Sequence, residues 1–218
     1  INIKIRKGDN VAIIGETGSG KTSLAKLFME FYSPDKGHIY VDGAELQNFE
    51  VQEIRKAVVY VSQEDFLFTA SVRENLKMGN EEISDEEMIE ISRKMGVHQF
   101  VSKMEREYDS VLEERGKNLS KGQRQKLSLT RAILRHPKIL ILDEATSNMD
   151  SISEREILNY IKGIRDITLI LISHRINVIA DSDCIYVLQK GNIVARGTDE
   201  QLKEQCELYR QLYGEEEK

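Results

Sequence analysis

The chain has 218 residues, 40% of them apolar and 31% charged, enough for a sizeable core under a well-solvated surface in one or two compact domains. Its formal charge of −6, from 31 basic and 37 acidic residues, argues against a protein that coats DNA or RNA, where neutralising phosphate dominates affinity. The longest apolar runs, Ile139–Leu142, Thr168–Ile172 and Ile185–Leu188, fall far short of the ~20 residues that cross a bilayer, so any membrane role is expected to come through partners.

Ile1–Ile5 alternates apolar and polar residues and runs to Gly8-Asp9, which predicts a strand and a hairpin into a second strand, Val11–Ile14. There is no initiator Met and no signal-peptide pattern, so the chain reads as an excised fragment. Leu24, Leu27, Phe28 and Phe31 predict a helix over Lys21–Tyr32. Each of the two prolines, Pro34 and Pro137, follows a helical pattern as a stop signal. His38–Val41 followed by Asp42-Gly43 reads as strand and turn, and Ala57–Ser62 as another strand. Ser84-Asp85-Glu86-Glu87 has the form of a capping box, with Met88, Ile91 and Met95 following on one face. Ser120 precedes a helix over Lys121–Arg135. Ile139–Asp143 and Thr168–Ser173 read as buried strands of a parallel sheet, separated by a helix near Ser153–Ile164. Cys184–Leu188 and Asn192–Arg196 predict an antiparallel hairpin around Lys190-Gly191, and a last helix covers about Asp199–Tyr213. The acidic tail Glu215-Glu216-Glu217 is expected to fray. Cys184 and Cys206 lack metal or CxxC spacing and are read as reduced thiols.

Gly15-Glu16-Thr17-Gly18-Ser19-Gly20-Lys21-Thr22 fits the P-loop pattern, after a predicted strand and at the start of a predicted helix. Glycines let backbone N–H groups close around phosphate oxygens, and the helix N-terminus adds favourable potential. Lys21 would reach the β- and γ-phosphates, and the Thr22 hydroxyl would ligate Mg²⁺. The strand Ile139–Leu142 ends in Asp143 and Glu144, where a parallel sheet opens its ligand crevice. Asp143 is the candidate Mg²⁺ ligand and Glu144 the candidate general base. His174 ends the strand over Thr168–Ser173 and could bond the γ-phosphate and the attacking water. Gln63, after the strand ending at Ser62, could sense Mg²⁺ and water with a neutral amide. Leu119-Ser120-Lys121-Gly122-Gln123 offers a hydroxyl, a glycine and a helix N-terminus, a second phosphate-binding surface that two copies arranged head to tail would bring to each other's ATP.

Taken in order, the P-loop, Gln63, Leu119–Gln123, Asp143-Glu144, Ser147–Asp150 and His174 resemble the nucleotide-binding domain of ABC transporters over essentially the whole chain. The resemblance implies an α/β fold: a P-loop NTPase core with a mostly parallel sheet, an antiparallel β-subdomain and an inserted α-helical subdomain. Core and β-subdomain would take residues 1–71 and 137–218, and the helical subdomain 72–136. Leu119–Gln123 would be the signature motif, Ser147-Asn148-Met149-Asp150 the D-loop, Gln63 the Q-loop residue and His174 the switch histidine. It further implies ATP and Mg²⁺ as cofactors, with ATP held by Gly15 to Thr22 and Ser23, and Mg²⁺ by Thr22, Gln63 and Asp143. Lys21, Gln63, Glu144 and His174 would serve catalysis, and Ser120, Lys121, Gly122, Gln123 and Asp150 would contact ATP across a dimer.

The implied partners are a second nucleotide-binding domain and the transmembrane domains of a transporter, at the cytoplasmic face of the cell membrane, and not nucleic acid. Gln63–Phe68 with Ser71–Leu76 resembles the segment that docks exporter coupling helices, and Glu114-Arg115-Gly116 the exporters' cross-linking loop. A soluble ABC ATPase of translation or DNA repair, or an importer's ATPase subunit, remains the alternative. Three positions depart from the family: Lys121 replaces a glycine, the D-loop is unusual, and none of residues 1–14 is the aromatic that stacks on adenine. That platform is expected to be missing from this chain.

Overall fold

A computed structural model describes residues 1–64 and 66–216. Asp65, within the coupling-type segment, and Glu217, within the acidic tail, lie outside the described residues, as do the side chains of Glu215 and Glu216.

The chain divides into two compact units. The first comprises residues 1–60, 138–144 and 166–218, the second residues 61–137 and 145–165. The first is built on a six-stranded sheet, with β1 Asn10–Ile14, β4 Val58–Val61, β5 Ile139–Asp143, β6 Thr168–Ile172, β7 Cys184–Gln189 and β8 Asn192–Gly197 in the order β4-β5-β6-β1-β7-β8. β5, β6, β1 and β7 run parallel, and β8 closes the edge antiparallel to β7. Every residue of β6 and four of the five in β5 are buried, as strands covered on both faces require. A two-residue turn at Lys190-Gly191, with φ of 46° and 77°, joins β7 to β8. The same pattern at Asp42-Gly43 joins β2 Tyr40–Val41 to β3 Ala44–Glu45, a second, two-stranded sheet. Both turns need left-handed backbone at two successive residues, which Asp-Gly and Lys-Gly supply with glycine second.

One face of the main sheet carries Ile13, Val58, Ile141, Ile170 and Ile172 against Leu24 and Ala25 of α1, Lys21–Phe28, and Met29 at its C-cap. Ile54 of α2, Val51–Ala57, joins that cluster. This short helix lacks the apolar period that would signal it in the sequence; Glu50 and Glu53 close a reciprocal capping box at its start.

Four expectations are corrected. Ile1–Ile5 forms no strand. β1 is bonded on one side to β6 and on the other to β7, so neither edge is left for a hairpin partner. The Tyr186 hydroxyl instead donates to Lys4 O and accepts from Lys4 N, while Gly8 at φ 82° still makes the predicted turn. The first helix ends at Phe28 rather than Tyr32 because Glu30 turns to φ 53° and Phe31 N bonds back to Lys26 O at 3.0 Å, closing the C-terminus. The final helix is two helices, α9 Asp199–Gln205 and α10 Glu207–Glu216, broken at the extended and buried Cys206. At Ser84 only half of the box forms, the side chain accepting from Glu87 N.

The second unit is helical: α3 Val72–Lys77, α4 Asp85–Lys94, α5 His98–Val101, α6 Lys121–Leu134 and α7 Ser151–Lys162. It therefore includes the helix that lies in sequence between β5 and β6. Ser71 and Val111 form an isolated antiparallel bridge that ties the start of α3 to the segment leading to α6. No helix among the described residues is long and apolar enough to cross a membrane. Cys184 and Cys206 are free thiols.

Candidate functional site

In the first unit, β1 delivers the chain into the Gly15–Thr22 loop, and α1 starts at Lys21. The tightness of the loop dictates its glycines. A Cβ on Gly15 would lie 2.1 Å from the Leu188 carbonyl oxygen on β7. Gly18 and Gly20 take φ of 80° and 106°, which L side chains rarely adopt. Gly20 stands at the N-cap with no side-chain cap, so the first N–H groups of α1 are not satisfied by a capping oxygen. Ser19 N bonds Glu16 O and Gly191 N bonds Ser19 O, which fastens the loop to the β7–β8 turn. Ser19 Oγ is buried with no hydrogen-bond partner among the described residues.

Lys21 is 9% exposed, and its ammonium donates to Gly15 O at 2.7 Å and Glu16 O at 2.9 Å. Burial pushes its pKa below the ordinary lysine value, and the charges of Glu144 and Asp143 partly restore it. Asp143, the last residue of β5, is 7% exposed. Its Oδ2 accepts from the Thr22 hydroxyl at 2.7 Å and from the Tyr60 hydroxyl at 2.8 Å. Burial, then the bond to Asp143 and its charge, raise the Tyr60 pKa far above the ordinary phenol value. Glu144 follows at φ 53°, a left-handed conformation costly for a residue with Cβ, and its N–H is held by Ile172 O at 2.9 Å. Its Oε1 meets His174 Nδ1 at 3.2 Å. His174 stands two residues past the end of β6, with a side chain 57% exposed. Thr22, Asp143, Lys21, Glu144 and His174 thus converge at the C-terminal ends of β1, β5 and β6. Glu16 and Thr17 are exposed on the loop, and Ser23 is exposed on α1.

The other expected site residues lie in the second unit. Gln63 is exposed, two residues beyond β4. Ser120 caps α6 through a complete box: its Oγ accepts from Gln123 N at 3.2 Å, and Gln123 Oε1 accepts from Ser120 N at 2.9 Å. Lys121 is exposed beside it. Gly122 lies against the Ser147–Asp150 segment, since a Cβ there would be 3.1 Å from Asn148 O. Asp150 caps α7, accepting from Ser153 N at 2.9 Å, and that bond lowers its pKa.

Two residues, one in each unit, carry no signal of their role in the sequence. Gln125 is fully buried; its Oε1 accepts from Asn148 N at 2.9 Å and its Nε2 reaches Ser147 Oγ at 3.4 Å. A glutamine two residues past Gln123 on a helix carries no local signal of this. Tyr60 read only as an apolar residue of a strand, although its alternation with Val58 places both on one face.

The ABC transporter family model matches residues 1–147. The heterocyst differentiation ATP-binding protein HepA of Nostoc sp. (strain PCC 7120 / SAG 25.82 / UTEX 2576) is 42% identical over 206 residues, covering 94% of this chain and 34% of its own length. The mitochondrial iron-sulfur clusters transporter ABCB7 of Oryzias latipes is 38% identical over 203 residues, covering 93% of this chain and 27% of its own. A solved structure of a bacterial Atm1-family ABC exporter with ATP bound matches with a TM-score of 0.94 at 31% identity, over 98% of this chain and 38% of that one. The chain spans about a third or less of the length of these two relatives. With motifs, sheet order and relatives in agreement, the chain belongs to the ABC transporter family, as an ATP-binding cassette domain of exporter type.

Proposed function

We propose that this domain binds ATP with Mg²⁺ at Gly15–Thr22 and hydrolyses it to drive export through transmembrane domains. The observation that carries the reading is the convergence of Thr22, Asp143, Lys21, Glu144 and His174 at one end of the parallel sheet. The donors suit the ion: a threonine hydroxyl and a carboxylate 2.7 Å apart are hard oxygen ligands of the kind Mg²⁺ takes. Bound there, Mg²⁺ would neutralise charge on the phosphate oxygens.

The residues of the chain do the rest. Backbone N–H groups of the loop and the start of α1 bind the phosphates. Lys21, already close to Gly15 O and Glu16 O, supplies a desolvated positive charge for the γ-phosphoryl group. Glu144 takes the proton of the attacking water, and His174, bonded to its Oε1, orients that carboxylate and the γ-phosphate. In this reading a second cassette docks head to tail. It presents Ser120, Lys121, Gly122, Gln123 and Asp150 to the same ATP, and each partner buries the other's nucleotide. Phosphoryl transfer of this kind is mostly positioning and electrostatics. The location proposed for the domain is the cytoplasmic face of the membrane, where it can draw on cellular ATP.

Glu144→Gln in the full-length transporter tests the reading. It should hold an ATP-bound dimer, visible by size exclusion, with turnover reduced by two orders of magnitude or more. Near-normal turnover removes Glu144 from the role of base.

A further inference from the structure

β4 and β5 are neighbours in the sheet, and side chains two apart on a strand share a face. Val58 and Ile141 both face α1 in the core cluster, so Tyr60 and Asp143, each two residues further on, face α1 as well. Tyr60 packs its ring against that cluster and sets its hydroxyl 2.8 Å from Asp143 Oδ2. The Thr22 hydroxyl reaches the same oxygen from α1 at 2.7 Å. One carboxylate oxygen is thereby held between two hydroxyls, one on a helix and one on the neighbouring strand.

We propose that Tyr60 is a positioning residue of the nucleotide site, which fixes the orientation of the Asp143 carboxylate and so sets the affinity of the site for Mg²⁺. The inference rests on the assignment of Thr22 and Asp143 to that ion. A carboxylate at a strand end rotates about χ2 over a broad well unless something holds it. Thr22 alone is a poor clamp, because its own oxygen is wanted by the metal. Tyr60 has no such second duty. Its half-buried ring packs against the core cluster, and its hydroxyl can donate only where the ring points. Partners that orient a metal's ligands in this way commonly govern metal affinity by 10- to 100-fold.

The experiment measures ATP binding to the chain by calorimetry, once in EDTA and once over a range of MgCl₂, for the wild type, Tyr60→Phe, Asp143→Asn and the double variant. Thermal melting in EDTA is recorded for each. Tyr60→Phe keeps the ring and removes only the hydroxyl. We expect its ATP affinity in EDTA to equal that of the wild type, and the Mg²⁺ concentration for half-maximal binding to rise about tenfold. Asp143→Asn should lose most of the Mg²⁺ enhancement, and Tyr60→Phe added to it should do nothing more, as expected of two groups acting as one. An unchanged Mg²⁺ requirement in Tyr60→Phe overturns the proposal. So does an equal loss of affinity with and without Mg²⁺, which marks a purely structural tyrosine. If Asp143→Asn itself keeps the full Mg²⁺ enhancement, the metal assignment fails first and the role of Tyr60 falls with it.

Discussion

Gly15→Ala is a single added methyl group with a calculable consequence. The new Cβ would sit 2.1 Å from the Leu188 carbonyl oxygen and 2.8 Å from Ser19 Oγ, well inside van der Waals contact. The Ser19 hydroxyl can rotate away, but Leu188 O is backbone in β7, which is bonded to β1 on one side and β8 on the other. Relief therefore requires the Gly15–Thr22 loop to lift off β7. Overpacking of this kind costs about 1–3 kcal/mol. For a chain of this size each kcal/mol lowers the melting temperature by roughly 2–4 °C, so a fall of about 2–12 °C is expected. Differential scanning calorimetry without nucleotide measures it. Gly214→Ala in α10 is the control: nothing lies within 4 Å of its Cβ and alanine favours a helix, so its melting temperature should hold or rise slightly. Calorimetric ATP binding to Gly15→Ala should weaken at the same time, because the displaced loop carries the N–H groups assigned to phosphate. Melting of Gly15→Ala within 1 °C or so of the wild type, a difference under about 0.5 kcal/mol, would refute the close approach of β7 to the loop.

Further outcomes are expected elsewhere. Gln125→Leu leaves the Asn148 N–H without its acceptor and should cost about 1–3 kcal/mol, with faster hydrogen exchange at the Asn148 amide as the local signature. Arg131→Met removes the donor that holds Phe66 O at 2.8 Å, and should speed exchange and proteolysis at residues 66–68 while β5 and β6 keep their protection. Tyr60 has its pKa raised above 10.0 in the folded chain, so its contribution is complete below pH 10 and is lost as the pH climbs towards the folded value. Urea unfolding from pH 9 to 11 should accordingly show a shallower alkaline loss of stability in Tyr60→Phe than in the wild type, and identical slopes would contradict the shift.

Much of this protein was legible locally. The spacing of Gly15, Gly18, Gly20, Lys21 and Thr22 encodes a loop whose glycines are needed for space at Gly15 and for left-handed backbone at Gly18 and Gly20. The apolar runs before Asp143 and His174 mark buried strands, Ser120 marks a capped helix start, and Lys190-Gly191 marks a hairpin. Each depends on contacts within a few residues, which is why composition and period suffice. The hairpin expected of Ile1–Ile5 failed for the opposite reason. Alternation says that a segment can be a strand, but whether an edge is open depends on β6 and β7, more than 150 residues away in sequence. Likewise Asp143 and Thr22 could each be nominated alone, yet only the strand order β4-β5-β6-β1-β7-β8 decides that Tyr60 completes their contact across 83 residues. Residue type and spacing thus determined which chemistry this chain carries. Strand adjacency, set by the packing of distant apolar faces, decided which hydroxyls hold the Asp143 carboxylate.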